Sequence, residues 1–172
     1  MEEFKEYPNP WQYNDSIFDG SLIRDNYGFV YCITNLSNQR QYIGRKYFYQ
    51  HRTPKGKKRK VKSESDWKKR KPKGGKRRVT SESDWRRYYG SSADLKQDIR
   101  ELGRENFRRE ILSIHSTPGR VNYEETKQLF TRGVLTEALT DGTPAYYNSN
   151  ILGRYYRKDY FDFGNDSGTD AS

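Results

Sequence analysis

The chain has 172 residues, a hydrophobic fraction of 31%, a mean hydropathy of -1.24 and a formal net charge of +10. That length carries one domain with a modest core, and 15% aromatics, 15 of them Tyr, exclude a plainly disordered chain. A lone cysteine, Cys32, excludes an internal disulfide and a thiolate zinc site and reads as a small core residue. No signal peptide or long apolar stretch is visible, so the protein is expected in the cytoplasm of a cell.

Residues 1–27 read as an irregular N-terminal arm. Pro8 and Pro10 flank Asn9, and Trp11, Tyr13, Ile17 and Phe18 are candidates to dock on a core. A hairpin follows. Gly28 to Thr34 is rich in β-formers, Asn35, Ser37 and Asn38 make a turn cluster, and Gln41, Tyr42 and Ile43 resume the strand up to Gly44. One tyrosine stands on each strand, Tyr31 and Tyr42, and Arg45 and Lys46 come directly after. If the strands pair, phenols and cations converge on a spot suited to a phosphate ester. Residues 45–50 continue as strand or turn.

Residues 51–80 read as an insertion punctuated by Pro54, Gly56, Pro72, Gly74 and Gly75. It holds an internal repeat, with residues 58–69 matching residues 76–87 at an offset of 18. Residues 45–87 carry 19 Lys or Arg against 4 acids, so the remaining 14 basic and 19 acidic residues sum to -5. A basic block on a slightly acidic protein points to a polyanion. No amphipathic apolar stripe accompanies it, so nucleic acid is favoured over membrane. The contact candidates are Arg52, Lys57, Lys58, Arg59, Lys60, Lys68, Lys69, Arg70, Lys76, Arg77 and Arg78, with Trp67 available to stack on or wedge between bases. A merely solvated face is the bland alternative.

In the second repeat copy, Ser81 and Asp84 have capping-box spacing, which predicts a short helix to Tyr89 stopped by Gly90, with Trp85 as a core anchor. A second helix is predicted from Ser92 to Gly103 on the stripe Leu95, Ile99, Leu102. Residues 109–115 read as a strand ended by Pro118 and Gly119, with helix as the alternative. The longest periodic segment, Tyr123 to about Leu139, reads as a helix capped by Asn122, with Gly133 a point where it could break. Asp141 to Pro144 form a turn before Tyr146, Tyr147 and Asn148. The tail from Asp162 reads as disordered.

Glu125, placed early in that helix, is the metal-ligand candidate, because Mg²⁺ prefers oxygen ligands and keeps several waters. A solvent-facing capping glutamate is the alternative.

These pieces together resemble the GIY-YIG nuclease superfamily. The first motif takes the variant form Phe29, Val30, Tyr31, and the second is intact as Tyr42, Ile43, Gly44. The Tyr31-x-Ile33-x-Asn35 continuation, the Trp85-x-x-Tyr-Tyr-Gly-Ser-Ser92 segment, Tyr123-x-Glu125 with Lys127, and Tyr146-Tyr147-Asn148 also match. The nearest likeness is to phage-type homing or free-standing endonucleases, or to restriction-like ones. The resemblance implies that Tyr31 is a general base needing cations to lower its pKa. It also implies that Tyr42 orients water or grips phosphate, Glu125 holds Mg²⁺ or Mn²⁺, and Asn148 lies at the active site. Its essential arginine falls on Arg86 or Arg87, with Arg45 and Lys46 as further catalytic cations and Arg52 an outsider. The pattern's histidine is missing there, and Tyr88 or Tyr89 stands in its place.

The expectation is a small α/β (α+β) domain over residues 28–150, an antiparallel three-stranded sheet flanked by helices with a basic insertion, followed by a C-terminal extension from 151. The implied activity is Mg²⁺-dependent cleavage of double-stranded DNA, with a dimer if the enzyme is of restriction type. A catalytically inactive DNA-binding module and an RNA-binding or structural protein are the alternatives.

Overall fold

The computed structural model describes residues 9–52 and 79–163. The insertion candidates Lys57, Lys58, Arg59, Lys60, Trp67, Lys68, Lys69, Arg70, Lys76, Arg77 and Arg78 lie outside the described residues, as does the tail from residue 164.

The strands are β1 (Gln12–Tyr13), β2 (Ser16–Ile17), β3 (Gly28–Asn35), β4 (Gln41–Tyr47), β5 (Tyr49–Arg52), β6 (Val79–Glu82), β7 (Phe107–His115), β8 (Asn150–Ile151) and β9 (Tyr155–Tyr156). Among the described residues two α-helices, α1 (Ala93–Leu102) and α2 (Pro118–Thr131), complete an α+β fold. The main sheet runs β2-β1-β7-β3-β4. Its β7-β3-β4 portion is antiparallel, as expected. The full sheet is wider and mixed, because the arm adds a small hairpin whose β1 lies parallel to β7. Asn14 and Asp15 turn that hairpin at positive φ, which their short polar side chains tolerate. Trp11 and Phe18 dock as anticipated, whereas Ile17 points to solvent.

The hairpin register pairs Tyr31 with Gly44 and Ile33 with Tyr42. Side chains alternate along a strand, so Phe29, Tyr31 and Ile33 share one face and Val30, Cys32 and Thr34 the other. All eight residues of β3 are buried, which explains its continuous apolar run. The Val30 face packs with Cys32, Ile43, Val121, Leu129 and Val134 under α2. The Phe29 face meets an aromatic layer, with Trp11 at 5.2 Å, Phe48 at 5.1 Å and Trp85 at 6.3 Å between ring centroids. Cys32 is a buried core thiol whose pKa burial pushes up, away from reactivity.

Two helical expectations need correction. The helix predicted over 82–89 is a single 3-10 turn, Trp85–Arg87, because Glu82 and Ser81 are drawn into β6, opposite Tyr49 and Gln50. The helix predicted from Asn122 begins at Pro118, with the Thr117 hydroxyl accepting from the Arg120 amide. Proline's fixed φ suits a first helical position. Glu125 is therefore well inside the helix, and the first-turn dipole argument does not apply to it. The helix ends at Thr131, and Gly133 (φ 59) turns the chain instead of carrying it on to Leu139. By contrast, Ser92 caps α1 and Gly103 ends it, as predicted.

The described chain divides into two compact units. Strands β5 and β6 belong to one spanning residues 49–83, and the rest belongs to the other.

Arg109, on β7, is 1% exposed and has no acidic partner. Its guanidinium donates to the Asn9 carbonyl and, at 3.0 Å each, to the carbonyls of Arg86 and Tyr88. It also lies over the rings of Trp11 (4.6 Å) and Tyr89 (4.3 Å). Burial without an acid pulls its pKa down to about 10, still charged at neutral pH. Arg109 thus clamps the 86–88 segment to the sheet. Arg109→Met keeps the volume and leaves those carbonyls unpaired, an expected cost of roughly 2–5 kcal/mol. Urea unfolding checks the cost, and faster amide exchange over 85–90 shows where the clamp was lost.

Candidate active site

β4 is the end strand of the sheet. Along it opens a cleft of about 640 Å³, lined from four directions by Tyr42 and Arg45 of β4, Ser91 and Asp94 at the start of α1, Glu125 of α2, and Asn148. Tyr42 and Arg45 point to opposite faces of the strand, and the cleft wraps its edge. Four of the residues singled out from sequence meet here: Tyr42, Arg45, Glu125 and Asn148.

Glu125 is held by Arg45, whose Nη1 donates to its Oε2. Asn148 is nearly buried and pairs through both ends of its amide with one residue of β4. Its Oδ1 accepts from the Ile43 amide (3.0 Å) and its Nδ2 donates to the Ile43 carbonyl (2.8 Å). It fixes the strand that carries Tyr42 and Arg45.

The other candidates lie elsewhere. Tyr31 is 1% exposed and sits behind Gly44, its ring 6.1 Å from that of Tyr42. Lys46 donates to Asp84 (2.6 Å) and lies over the Tyr88 ring (3.9 Å). The Arg86 guanidinium lies over Trp85 at 4.4 Å. Arg87 lines a separate groove with Lys96, Arg100 and Arg104. Arg52 ends β5, in the other unit. His51 bonds Thr80 and His115 bonds Ser113, and neither lines the cleft.

A chain of hydroxyls connects the hidden phenol to the cleft. Tyr88 lies edge-on to Tyr31, ring centroids 6.2 Å apart, its hydroxyl close to Tyr31 and Ser91, and Ser91 is hydrogen-bonded to Tyr42 at 2.9 Å. Ser91 and Tyr88 went unnoticed in the sequence as partners of the two motif tyrosines. Burial pushes the Tyr31 pKa well above the usual phenol value, and Tyr42, Tyr88 and Glu125 push it further up. The cations expected to lower it are engaged elsewhere, Arg45 with Glu125 and Lys46 with Asp84. As it stands here, Tyr31 is a neutral phenol at physiological pH.

Tyr88 is likewise raised, by burial first, and Tyr147 is pushed up to about 12 by burial and by its bond to Asp98 (2.6 Å). Above pH ~10 the unfolded chain releases phenol protons that the folded chain retains. These three groups therefore contribute stability that is full below that pH and is lost as the pH rises through their folded values. Arg109, depressed, acts in the opposite sense over the same range and offsets part of the loss. Urea denaturation at pH 9 and pH ~11.5 should show lower stability at the higher pH, and Tyr31→Phe should shrink that difference.

Among the described residues no group of three or more His, Cys, Asp or Glu could cage a metal. The cleft does present the carboxylates of Glu125 and Asp94. Hard oxygen donors in small number suit Mg²⁺, which keeps several waters and completes its shell with substrate phosphate, so the residues present fit such an ion. Among the described residues, no helix is long and apolar enough to cross a membrane.

A family model described as "Putative endonuclease segE, GIY-YIG domain" matches residues 11–70 and 67–151. Both matched segments include residues 67–70, so the junction falls in the first copy of the repeat. No curated protein and no solved structure matches the chain.

Proposed function

The chain belongs to the GIY-YIG endonuclease family, and from that premise we propose that it is a Mg²⁺-dependent endonuclease of double-stranded DNA. One observation carries the reading. Tyr42, Arg45, Glu125 and Asn148, drawn from three separate stretches of sequence, line a single cleft.

In this reading the scissile phosphodiester lies in the cleft along β4. Glu125 would hold Mg²⁺ or Mn²⁺, with the Asp94 carboxylate lining the same cleft. Bound there, such an ion would supply charge neutralisation at the leaving oxygen. Arg45 meets the non-bridging phosphate oxygens with its remaining N–H donors, a planar fork suited to that geometry. Tyr42, held by Ser91, orients the attacking water. Tyr31 takes a supporting part, anchoring the inner end of the hydroxyl chain. Asn148 keeps β4 in place. Water attacks phosphorus in line with the P–O3′ bond, which breaks to leave a 5′-phosphate and a 3′-hydroxyl, the ends that the family likeness implies.

The basic insertion grips the DNA backbone, which gives affinity and salt dependence without choosing sequence. The enzyme is of the free-standing or homing phage type and works in the cytoplasm of a bacterial or infected cell. One cleft cuts one strand at a time, so a double-strand break takes two protomers or two events.

The burial of Tyr31 favours one second reading, a DNA-binding domain without activity. Incubation with supercoiled plasmid separates the two. Nicking that requires Mg²⁺ and stops with EDTA is the expected result. Salt-sensitive binding without nicking in Mg²⁺ or Mn²⁺ would establish the second reading. Neither binding nor nicking would end both.

A further inference from the structure

Strands β8 and β9 form a small hairpin whose tip overhangs the cleft, since Asn150 and Leu152 both line it. Just before the turn, Ile151 anchors the hairpin, buried with the α2 core. At the tip, Leu152 (φ 56) and Gly153 (φ 63) both take positive φ, and the Arg154 amide closes the turn on the Ile151 carbonyl at 3.1 Å. That is the backbone signature of a type I′ turn, whose first position favours Asn, Asp or Gly. A leucine there is strained by its own Cβ.

The turn is braced from both sides. Asn150 Oδ1 accepts from the Gly153 amide (3.0 Å), and the Tyr156 hydroxyl donates to the Gly153 carbonyl (3.0 Å). Yet the Leu152 side chain is 56% exposed. The fold therefore holds an apolar side chain outward, at the lip of the cleft, in a conformation that Gly or Asn would adopt more readily. Strain of this kind, kept in place by its surroundings, is a pointer to function. The same hairpin carries two exposed tyrosines, Tyr155 and Tyr156, and the cation Arg154, and Lys158 follows it in the chain.

We propose that this turn is a DNA wedge, with Leu152 entering between stacked bases beside the phosphodiester held in the cleft, an inference that rests on the nuclease reading above. Leucine is among the residues that proteins insert at base steps to unstack and kink a duplex. Arg154 and Lys158 supply the charge complementarity for the flanking phosphates, and the rigid turn delivers the side chain without ordering it on binding. Unstacking at that step would present the backbone to Tyr42 and Arg45, so Leu152 acts as a positioning residue.

The test uses duplexes carrying 2-aminopurine at successive steps around a nick mapped with the wild-type enzyme. Binding is followed with Glu125→Gln as background, so that the DNA stays intact. The expected result is a fluorescence rise at one step, lost in Leu152→Gly and in Leu152→Asn and kept in Leu152→Met. In the otherwise wild-type enzyme, Leu152→Gly and Leu152→Asn should each cut roughly tenfold more slowly, the scale of losing one stacking contact. Their unfolding temperatures should equal or exceed the wild-type value, since both residues tolerate the turn. If the wild type nicks DNA but no step brightens, or if the Gly and Asn variants brighten and cut like wild type, the wedge is refuted and the nuclease reading stands. If the wild type neither binds nor nicks, both fall together.

Discussion

Glu125→Gln is expected to lower Mg²⁺-dependent nicking by a hundred- to a thousandfold, roughly the cost of removing one preorganised charge-stabilising group. The substitution preserves shape and removes the one charge that α2 contributes to the cleft wall. DNA affinity should be retained or improved, because a negative charge next to phosphate is gone and Arg45 is released from its partner. Stability should change by less than about 1 kcal/mol, since the Arg45 side chain is 39% exposed and water screens the pair. Nicking rates and gel-shift affinities on the same plasmid check this. Wild-type cutting in the variant would remove Glu125 from the metal site.

Gly44→Ala is expected to damage both fold and activity. A Cβ at Gly44 would lie 2.5 Å from the Tyr31 hydroxyl oxygen, 2.7 Å from its Cζ and 3.0 Å from the Tyr42 ring. Tyr31 cannot retreat, because Trp11 and Phe29 pack against its ring. Overpacking of this kind costs about 1–3 kcal/mol, occasionally more. The strain also falls on β4, between Tyr42 and Arg45, so nicking should fall with stability. Tyr31→Phe removes the nearest atom and should recover part of the loss in the double variant, a coupling that a double-mutant cycle measures. Additive losses would mean that the two residues are not in contact.

The hairpin, the capped α1 and strand β7 were legible because local signals and packing agree there. β-formers flank a turn cluster, Ser92 is a good cap, and Phe107, Arg109 and Ile111 alternate inward. The same alternation places Arg109 on the buried face. The start of α2 is ambiguous in the sequence because a proline such as Pro118 can end a strand, while Thr-Pro is also a good way to open a helix. Cleft membership was legible for Glu125 and Asn148 only through family likeness. The depth of Tyr31 was not legible at all, since it depends on Trp11, from an arm with no strong pattern of its own.

The amide grip of Asn148 on Ile43 bears on self-association. Gln41 donates to the Ala145 carbonyl and accepts from the Tyr147 amide, so the outward backbone groups of residues 41 and 43 are all spoken for. The stretch of rim over residues 41–43 is satisfied in this way and offers no template to another chain's strand. Two copies working on opposite DNA strands would therefore not join their sheets along that stretch of the border.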